Sequence, residues 1–310
     1  MATLLDFRRR IRSVKNTQQI TRAMKFVAAA RLRRAQESAL AARPYALELA
    51  RMLRSIMSRI DEPEHPLLAK RPEQNILVIV LSGERGLAGA FNSNILRKAN
   101  DFIRKQDGKK IVAIPVGKKG RDSLKKAGFP FAAEYVNVLA KVEFSVARDI
   151  AALVTELYTK EEIDAVYIVF SEFKSVMTAN LVVEKLLPVE EIRGEDGKKR
   201  DGDGPQGADE EKGGKTDEKK KDETPVDYIY EQPEEQLLGK LLPRYIETQV
   251  LRSMLESSAA EYAARMVAMD SATKNAGDVI EALTLHMNKV RQAAITKEII
   301  EIVSGANYGA

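Results

Sequence analysis

The chain of 310 residues contains no cysteine, which excludes disulfides, thiolate catalysis and cysteine metal sites. Histidine is nearly as scarce, with two in all. His65 stands between prolines in Pro63-Glu64-His65-Pro66, and His286 falls in a helical pattern near the C-terminal end. Neither has a second histidine or a nucleophile at the spacing of a metal site or triad, so both read as structural or solvated. No apolar run approaches the roughly 18 residues that span a bilayer, and the first residues lack the apolar core of a signal peptide. A soluble protein is expected. No pair of carboxylates stands at a spacing that argues for acid–base chemistry. The stretch Ser82-Gly83-Glu84-Arg85-Gly86-Leu87-Ala88-Gly89-Ala90-Phe91-Asn92 is a glycine-rich turn out of a strand pattern, a place where phosphates can bind. Its glycines fit neither GxGxxG nor the P-loop, and no Lys-Ser or Lys-Thr follows, so it reads as a close-packed structural turn. Lys118-Lys119-Gly120-Arg121 reads as a solvated helix start. Nothing in the chain looks catalytic.

Proline is absent after Pro243, and there the apolar residues keep one period over a long stretch. From Leu255 they run Ala259, Tyr262, Met266, Met269, Thr273, Ala276, Ile280, Leu283, Met287, Val290 and Ala294, in alternating steps of four and three. That is a heptad seam, and about 60 helical residues make a rod of roughly 90 Å. The other end of the chain carries a matching seam from Leu4 through Phe7, Ile11, Val14, Gln18, Thr21, Lys25, Ala28, Leu32, Ala35, Ala39, Ala42, Ala46, Leu49, Leu53, Ile56 and Ile60. Two seams at opposite ends of one chain are expected to pair as an antiparallel coiled coil. Gln18, Thr21 and Lys25 interrupt the apolar line and would fix its register, while the alanines would let the backbones approach closely. Pro44 predicts a kink near Arg43 or a new first turn after it.

The middle of the chain changes period. Strands are expected at Ile76 to Leu81, Lys110 to Val116, Ala132 to Val138, Ala165 to Phe170 and Leu181 to Leu187. Helices are expected at Ser93 to Lys105, Lys118 to Ala127 and Glu143 to Tyr158. The alternation predicts βαβ units and a mostly parallel sheet covered on both faces. The fold class is therefore α/β, with a shaft from residues 1–60 and 234–310 and an α/β foot from residues 73–233. Within the foot, residues 194–225 form a charged low-complexity insert with no large apolar side chain, expected to be disordered. Tyr228 to Gln232 could add a short strand before Pro233 opens the last helix.

Charge is 31% of the chain and nets only +5, but it is unevenly spread. Arg8, Arg9, Arg10, Arg12, Lys15, Arg22, Lys25, Arg31, Arg33 and Arg34 lie between Phe7 and Gln36 with no acidic residue among them. A cationic helix beside a coiled coil suits nucleic acid or an acidic protein partner, and the pattern leaves both open.

Both ends of the chain resemble the gamma subunit family of F-type ATP synthases. The likeness is carried by Arg9-Arg10-Ile11-Arg12-Ser13-Val14-Lys15-Asn16-Thr17, Gln19-Ile20-Thr21, Ala23-Met24-Lys25, Val27-Ala28-Ala29-Ala30 and Leu32-Arg33-Arg34-Ala35-Gln36 at one end. At the other it is carried by Arg265-Met266, Ala272-Thr273, Asn275-Ala276, Arg291-Gln292-Ala293, Ile295-Thr296, Glu298-Ile299 and Glu301-Ile302-Val303-Ser304-Gly305-Ala306. Gly83-Glu84-Arg85-Gly86-Leu87 with Phe91-Asn92 is similar to the family's marker in its central domain. The resemblance implies an antiparallel coiled coil of the two ends with a Rossmann-like α/β domain between them, and no cofactor or small-molecule substrate. It implies a non-catalytic rotor that couples proton flow to ATP synthesis or hydrolysis. The shaft would stand in a ring of α and β subunits and the foot on the c-subunit ring beside the epsilon subunit, with no role for nucleic acid. Arg291, Gln292 and Thr296 would then lie near the β-subunit loop that grips the rotor, Met24 and Lys25 near an acidic β-subunit lever, and Ile299 and Ile302 in an apolar sleeve at the tip. The family likeness of the Arg-rich start argues against a transit peptide. The insert departs from the family pattern, and without cysteine it cannot be a thiol switch. A bacterial protein at the cytoplasmic face of the inner membrane is expected.

Overall fold

The computed structural model describes residues 4–58, 65–189 and 233–308, with backbone only for 234, 235 and 303–308. The charged insert at 194–225, the short strand expected at Tyr228 to Gln232 and the seam's last residue, Ile60, lie outside the described residues.

Two helices dominate: α1, Leu4–Met57, and α5, Glu234–Tyr308. At 1.5 Å per residue the second is roughly 110 Å long. They run antiparallel, since Phe7 meets His286, Thr21 meets Thr273, and Leu32 meets Ala259 and Tyr262. The heptad seams face each other as the spacing predicts: Phe7, Thr21, Ala28 and Leu32 are buried on α1 and Tyr262, Met269 and Ala276 on α5, and the seam positions Ile11, Val14, Gln18 and Lys25 between them are half-buried.

Pro44 gives neither a new helix start nor an end, contrary to one of the two outcomes expected there, because α1 is a single element through it. The proline removes one backbone hydrogen bond, but Leu49, Ala50, Leu53 and Ile56 beyond it are all within 4% of full burial, which outweighs that loss. Pro243 is carried through α5 in the same way, between buried Leu242 and Tyr245.

Between the long helices lie β1 (Asn75–Leu81), α2 (Phe91–Lys105), β2 (Lys110–Val116), α3 (Lys118–Lys126), α4 (Phe144–Thr159), β3 (Ala165–Phe173) and β4 (Ala179–Leu187). The sheet order is β2-β1-β3-β4. β1 pairs in parallel with β2 and with β3, while β4 returns antiparallel to β3. The last pairing follows from a link too short for a crossover, closed by a hydrogen bond between the Ser175 and Thr178 hydroxyls at 2.6 Å. Every residue from Ile76 to Leu81 is fully buried, because β1 is central and covered on both faces. Leu77, Ile79 and Leu81 point into one core with α4, the end of α1 and the start of α5. Ile76, Val78 and Val80 point into the other with α2 and Leu124 of α3.

The strand expected at Ala132 to Val138 is not formed. The chain touches the edge of β2 at two isolated bridges, Ala113 to Phe131 and Val116 to Tyr135. Backbone bonds link it to β2 where Ala132 and Tyr135 donate to Ala113 and Pro115, and where Ala113 and Gly117 donate to Pro130 and Tyr135, and Asn137 then turns away with φ of 62°. The segment follows the sheet edge at two isolated bridges without joining its ladder.

His65 is structural, as its context implies: its Nδ1 accepts from the Leu67 amide at 3.2 Å and caps a 3₁₀ turn, Pro66–Leu68, and burial holds its pKa below the usual value. His286 packs edge-on against Phe7 at 4.9 Å. Leu32→Ala, at a seam position 4% exposed, should cost about 2–5 kcal/mol, and Leu283→Ala, half-buried, visibly less. Urea unfolding of the purified chain measures both, and equal losses would mean that the seam is packed differently along its length.

Candidate functional site: the shaft and its junction with the foot

The polar interruption of the seam is a matched set across the two helices. The Gln18 amide donates to the Thr273 carbonyl at 3.4 Å, the Thr21 and Thr273 hydroxyls lie 2.8 Å apart, and Lys25 Nζ donates to Asp270 at 2.6 Å. Gly277 makes room for this layer, since a Cβ there would stand 3.2 Å from the Gln18 amide nitrogen. Part-buried polar groups that must find each other across a seam fix one register, at some cost in stability.

Lys25 therefore sits on the seam with a partner in its own chain, and Met24 beside it is half-buried. The other cations of the N-terminal stripe, from Arg8 to Arg34, are exposed, and the Arg31 guanidinium lies over the Tyr262 ring of α5 at 5.8 Å. At the far end, Arg291, Gln292, Thr296, Ile299 and Ile302 are all exposed and are brought onto neighbouring lines of α5, offset from the seam that ends at half-buried Ala294. The Thr296 hydroxyl donates to the Gln292 carbonyl at 2.9 Å. Ile295, Ile299, Ile300 and Ile302 are between 49% and 71% exposed, an apolar concentration unusual for the end of a free helix.

The junction between shaft and foot escaped the reading of the sequence. In an open α/β sheet, ligands bind beyond the carboxyl ends of the strands where the strand order reverses, here next to β1 and β3. That place is filled by α5. The loop after β1 lies against it so closely that a Cβ on Gly83 would stand 2.9 Å from the Glu261 carboxylate and 2.9 Å from the Asn92 side-chain oxygen. Asn92 holds the loop by accepting from the Gly83 amide at 2.8 Å and donating to the Arg85 carbonyl at 3.3 Å. Ser258 and Tyr262 of α5 donate to the carbonyls of Leu139 and Ala140, and Phe173 at the end of β3 packs beside Leu32 and Ala259. Arg252 reaches Glu184 on β4 at 2.9 Å. The glycine-rich turn is thus a packing surface for a helix. A signal for this existed in the small-residue run Ser257-Ser258-Ala259-Ala260 and in Glu261 and Arg265 one helical turn apart.

Glu261 is 4% exposed and its carboxylate meets Arg265 at 2.6 Å. Burial raises its pKa, Arg265 opposes that rise, and nearby Glu84 adds to it. One oxygen of Glu84 accepts from the Lys118 amide at 3.0 Å. Its other oxygen is buried with no hydrogen-bond partner among the described residues. Among those residues no group of His, Asp and Glu is arranged to hold a metal ion, and no helix is long and apolar enough to cross a membrane.

Fold and junction together define a coiled-coil stalk protein, with one helix of the stalk built into the core of a doubly wound α/β base. A family model described as ATP synthase matches residues 3–307. The chain is 46% identical over 310 residues to the ATP synthase gamma chain of Solibacter usitatus, covering 99% of each. It is similar in fold to a chain of the Euglena gracilis mitochondrial ATP synthase rotor, with a TM-score of 0.58 at 21% identity over 94% of this chain and 98% of that one. A second Euglena gracilis structure, of the assembly with the c-ring, gives 0.63 at 20% identity over 98% and 93%. The chain belongs to the ATP synthase gamma chain family.

Two outcomes follow from the junction. Arg265→Met leaves the Glu261 carboxylate buried without its counter-ion and should destabilise the chain by about 3–5 kcal/mol at pH 8. Because the native pKa of Glu261 lies above its ordinary value, the protonated form is the one folding favours, so the loss should shrink as pH falls toward 5. Thermal unfolding of both proteins across that range tests it, and a pH-independent difference would contradict it. Gly117→Ala should be worse tolerated than Gly83→Ala. At Gly117 φ is 107° and a Cβ would fall 1.9 Å from the backbone oxygen of Ser82, whereas at Gly83 it meets only side-chain ends. Soluble yield and midpoint of unfolding rank the two.

Proposed function

We propose that this chain is the central rotor of an ATP synthase, a non-catalytic shaft that carries torque between a membrane ring and a catalytic ring. The observation that carries the reading is α5 itself, one unbroken helix of 75 residues whose first third is foot core and which is exposed from Ile295 to Ile302. A rotation applied to the foot has no flexible linker in which to dissipate. Close packing along Ala28, Ala259 and Ala276 and the polar layer at Gln18, Thr21 and Thr273 resist sliding of α1 along α5.

In this reading the foot stands on the c-subunit ring beside the epsilon subunit, and the shaft rises into a ring of α and β subunits. Proton flow turns the foot, and the asymmetric shaft drives the catalytic subunits through their states in turn. The exposed cationic stripe of α1 faces acidic surface of a β subunit, with Met24 at its edge. Lys25 acts there through its pairing with Asp270 as much as through its charge. Arg291, Gln292 and Thr296 meet the β-subunit loop that grips the rotor, and Ile299 and Ile302 turn in an apolar sleeve. The non-catalytic assignment is supported by α5 lying where a sheet of this kind would otherwise present a ligand crevice. The chain would sit peripherally at the cytoplasmic face of a bacterial inner membrane.

Arg291→Ala with Gln292→Ala, assembled with the α and β subunits, should lower rotation-coupled ATP turnover several-fold while the isolated chain keeps its unfolding midpoint, because both side chains are exposed. Single-molecule rotation with parallel unfolding measurements distinguishes the two effects. Unchanged turnover would remove these residues from the grip. Salt-dependent DNA binding by the purified chain, with no assembly with α and β subunits, would overturn the rotor reading altogether.

A further inference from the structure

Where α5 passes from the foot into the shaft, a cavity of about 1040 Å³ opens between α1, α5 and the β3–β4 hairpin. Its α5 wall presents Gln249, Arg252 and Glu256, at steps of three and four and so on one helix face. That wall is short of hydrogen bonds. Gln249 Oε1 and Arg252 Nε are buried without a partner among the described residues, and Arg252 Nε stands 4.0 Å from the Glu256 carboxylate, too far to bond it. The remaining polar groups around Glu256 come from every other side: Arg43 and Gln36 of α1, Glu172 of β3 with Lys174 just after it, and Asn180 and Glu184 of β4. Glu172 accepts from the Asn180 amide at 3.3 Å, and Glu184 from Arg252 at 2.9 Å. Three carboxylates thus line one cavity: Glu184 is paired with Arg252 at 2.9 Å, Glu172 accepts, among the described residues, only from the neutral Asn180 amide, and Glu256 stands 4.0 Å from Arg252 Nε, beyond hydrogen-bond reach.

We propose that Glu256 is a proton-binding site whose occupancy sets how tightly the β3–β4 hairpin and α1 close on α5 at the base of the shaft. When Glu256 is charged, Glu172 and Glu184 face a third negative group across a water-accessible gap, and the cavity stays open and hydrated. With a proton on it, that repulsion is gone, and the carboxyl becomes a donor toward walls that offer carboxylate and amide acceptors. Burial pushes the Glu256 carboxyl up to about 7, with Arg252 and Arg43 working against the rise and Glu172 and Glu184 adding to it. The native group therefore holds its proton where an unfolded one has lost it. The stability it contributes is complete below the ordinary carboxylate range near 4.5 and is lost as pH rises through about 7. The junction then loosens across the pH range in which cells work.

The test uses the full-length chain. A carbon-13 titration of the glutamate carboxyls, with Glu256 assigned through Glu256→Gln, should place its midpoint near 7, and Glu172→Gln should lower that midpoint by relieving repulsion. Amide hydrogen exchange, corrected for the intrinsic effect of pH, should show residues 36–47 and 172–184 protected several-fold more at pH 6 than at pH 8. Glu256→Gln should hold the pH 6 pattern at both values. A Glu256 midpoint in the ordinary carboxylate range overturns the proposal, as does protection in these segments that is equal at both pH values in the wild type. Should Glu256→Gln fold poorly, assignment through Glu172→Gln and exchange in the wild type still decide.

Discussion

Between Tyr245 and Ala263 the helix α5 is enclosed on almost every side, and the arrangement of the rest of the molecule follows from that enclosure. One turn presents Ile246 and Val250 to the foot's core, and the next presents Leu255 and Ala259 toward α1. By Ala260 the helix has reached the second core, on the other face of the sheet. A helix that must satisfy three neighbours in succession cannot be amphipathic in the ordinary sense. Its buried positions mix apolar side chains with Thr248, Gln249, Ser253, Ser257, Ser258 and Glu261. Burial at this density, rather than helix propensity, holds so long an element together and sets its direction relative to the sheet.

The two halves of the molecule use different physics. The foot is held by an apolar sheet buried on both faces, where shape and volume decide. The shaft above it has only one partner and a narrow stripe. Its specificity comes from a polar layer that is worse than leucine for stability and better for register: Gln18 and Thr21 against Thr273, and Lys25 against Asp270. The junction stands between these regimes, with charges buried among small residues. Glu261 is compensated by Arg265 within one turn, while Glu256 is left at 4.0 Å from its nearest guanidinium nitrogen. Two acidic groups five residues apart on one helix thus have different electrostatic roles, one locked and one labile.

Much of this was legible in the residues. The heptad steps from Leu255 to Ala294 and from Leu4 to Ile56 identified both long helices and the faces they bury, because a period of 3.5 sustained over many turns has no other use. The run Ile76 to Leu81 likewise announced a central strand. The Ala132 to Val138 segment meets β2 only at isolated bridges, since strand-like residues say that a segment can be extended and not that it stays beside a neighbour long enough to form a ladder. Pro44 predicted a kink near Arg43 or a new first turn; no new turn begins there, because long-range burial on both sides of a proline can outweigh the bond it removes. The tip residues Arg291, Gln292, Thr296, Ile299 and Ile302 emerged exposed together, and Lys25 emerged paired. The junction was missed because Gly83, Asn92, Glu261 and Leu139 are distant in sequence and meet only when α5 is laid across the strand ends, although the small residues of α5 carried a trace of it.

The central claim is that the chain's two ends pair in one register along a single shaft. Thr21 and Thr273 test it most directly, because their hydroxyls are 2.8 Å apart and the chain has no cysteine of its own. In the double variant Thr21→Cys with Thr273→Cys, mild oxidation should close a disulfide in nearly every molecule and leave the unfolding midpoint unchanged or higher. In the pair Thr21→Cys with Ile280→Cys, two turns out of register, it should close almost none. Equal cross-linking of both pairs, or failure of the first, would mean that the helices slide or separate and that no rigid shaft exists.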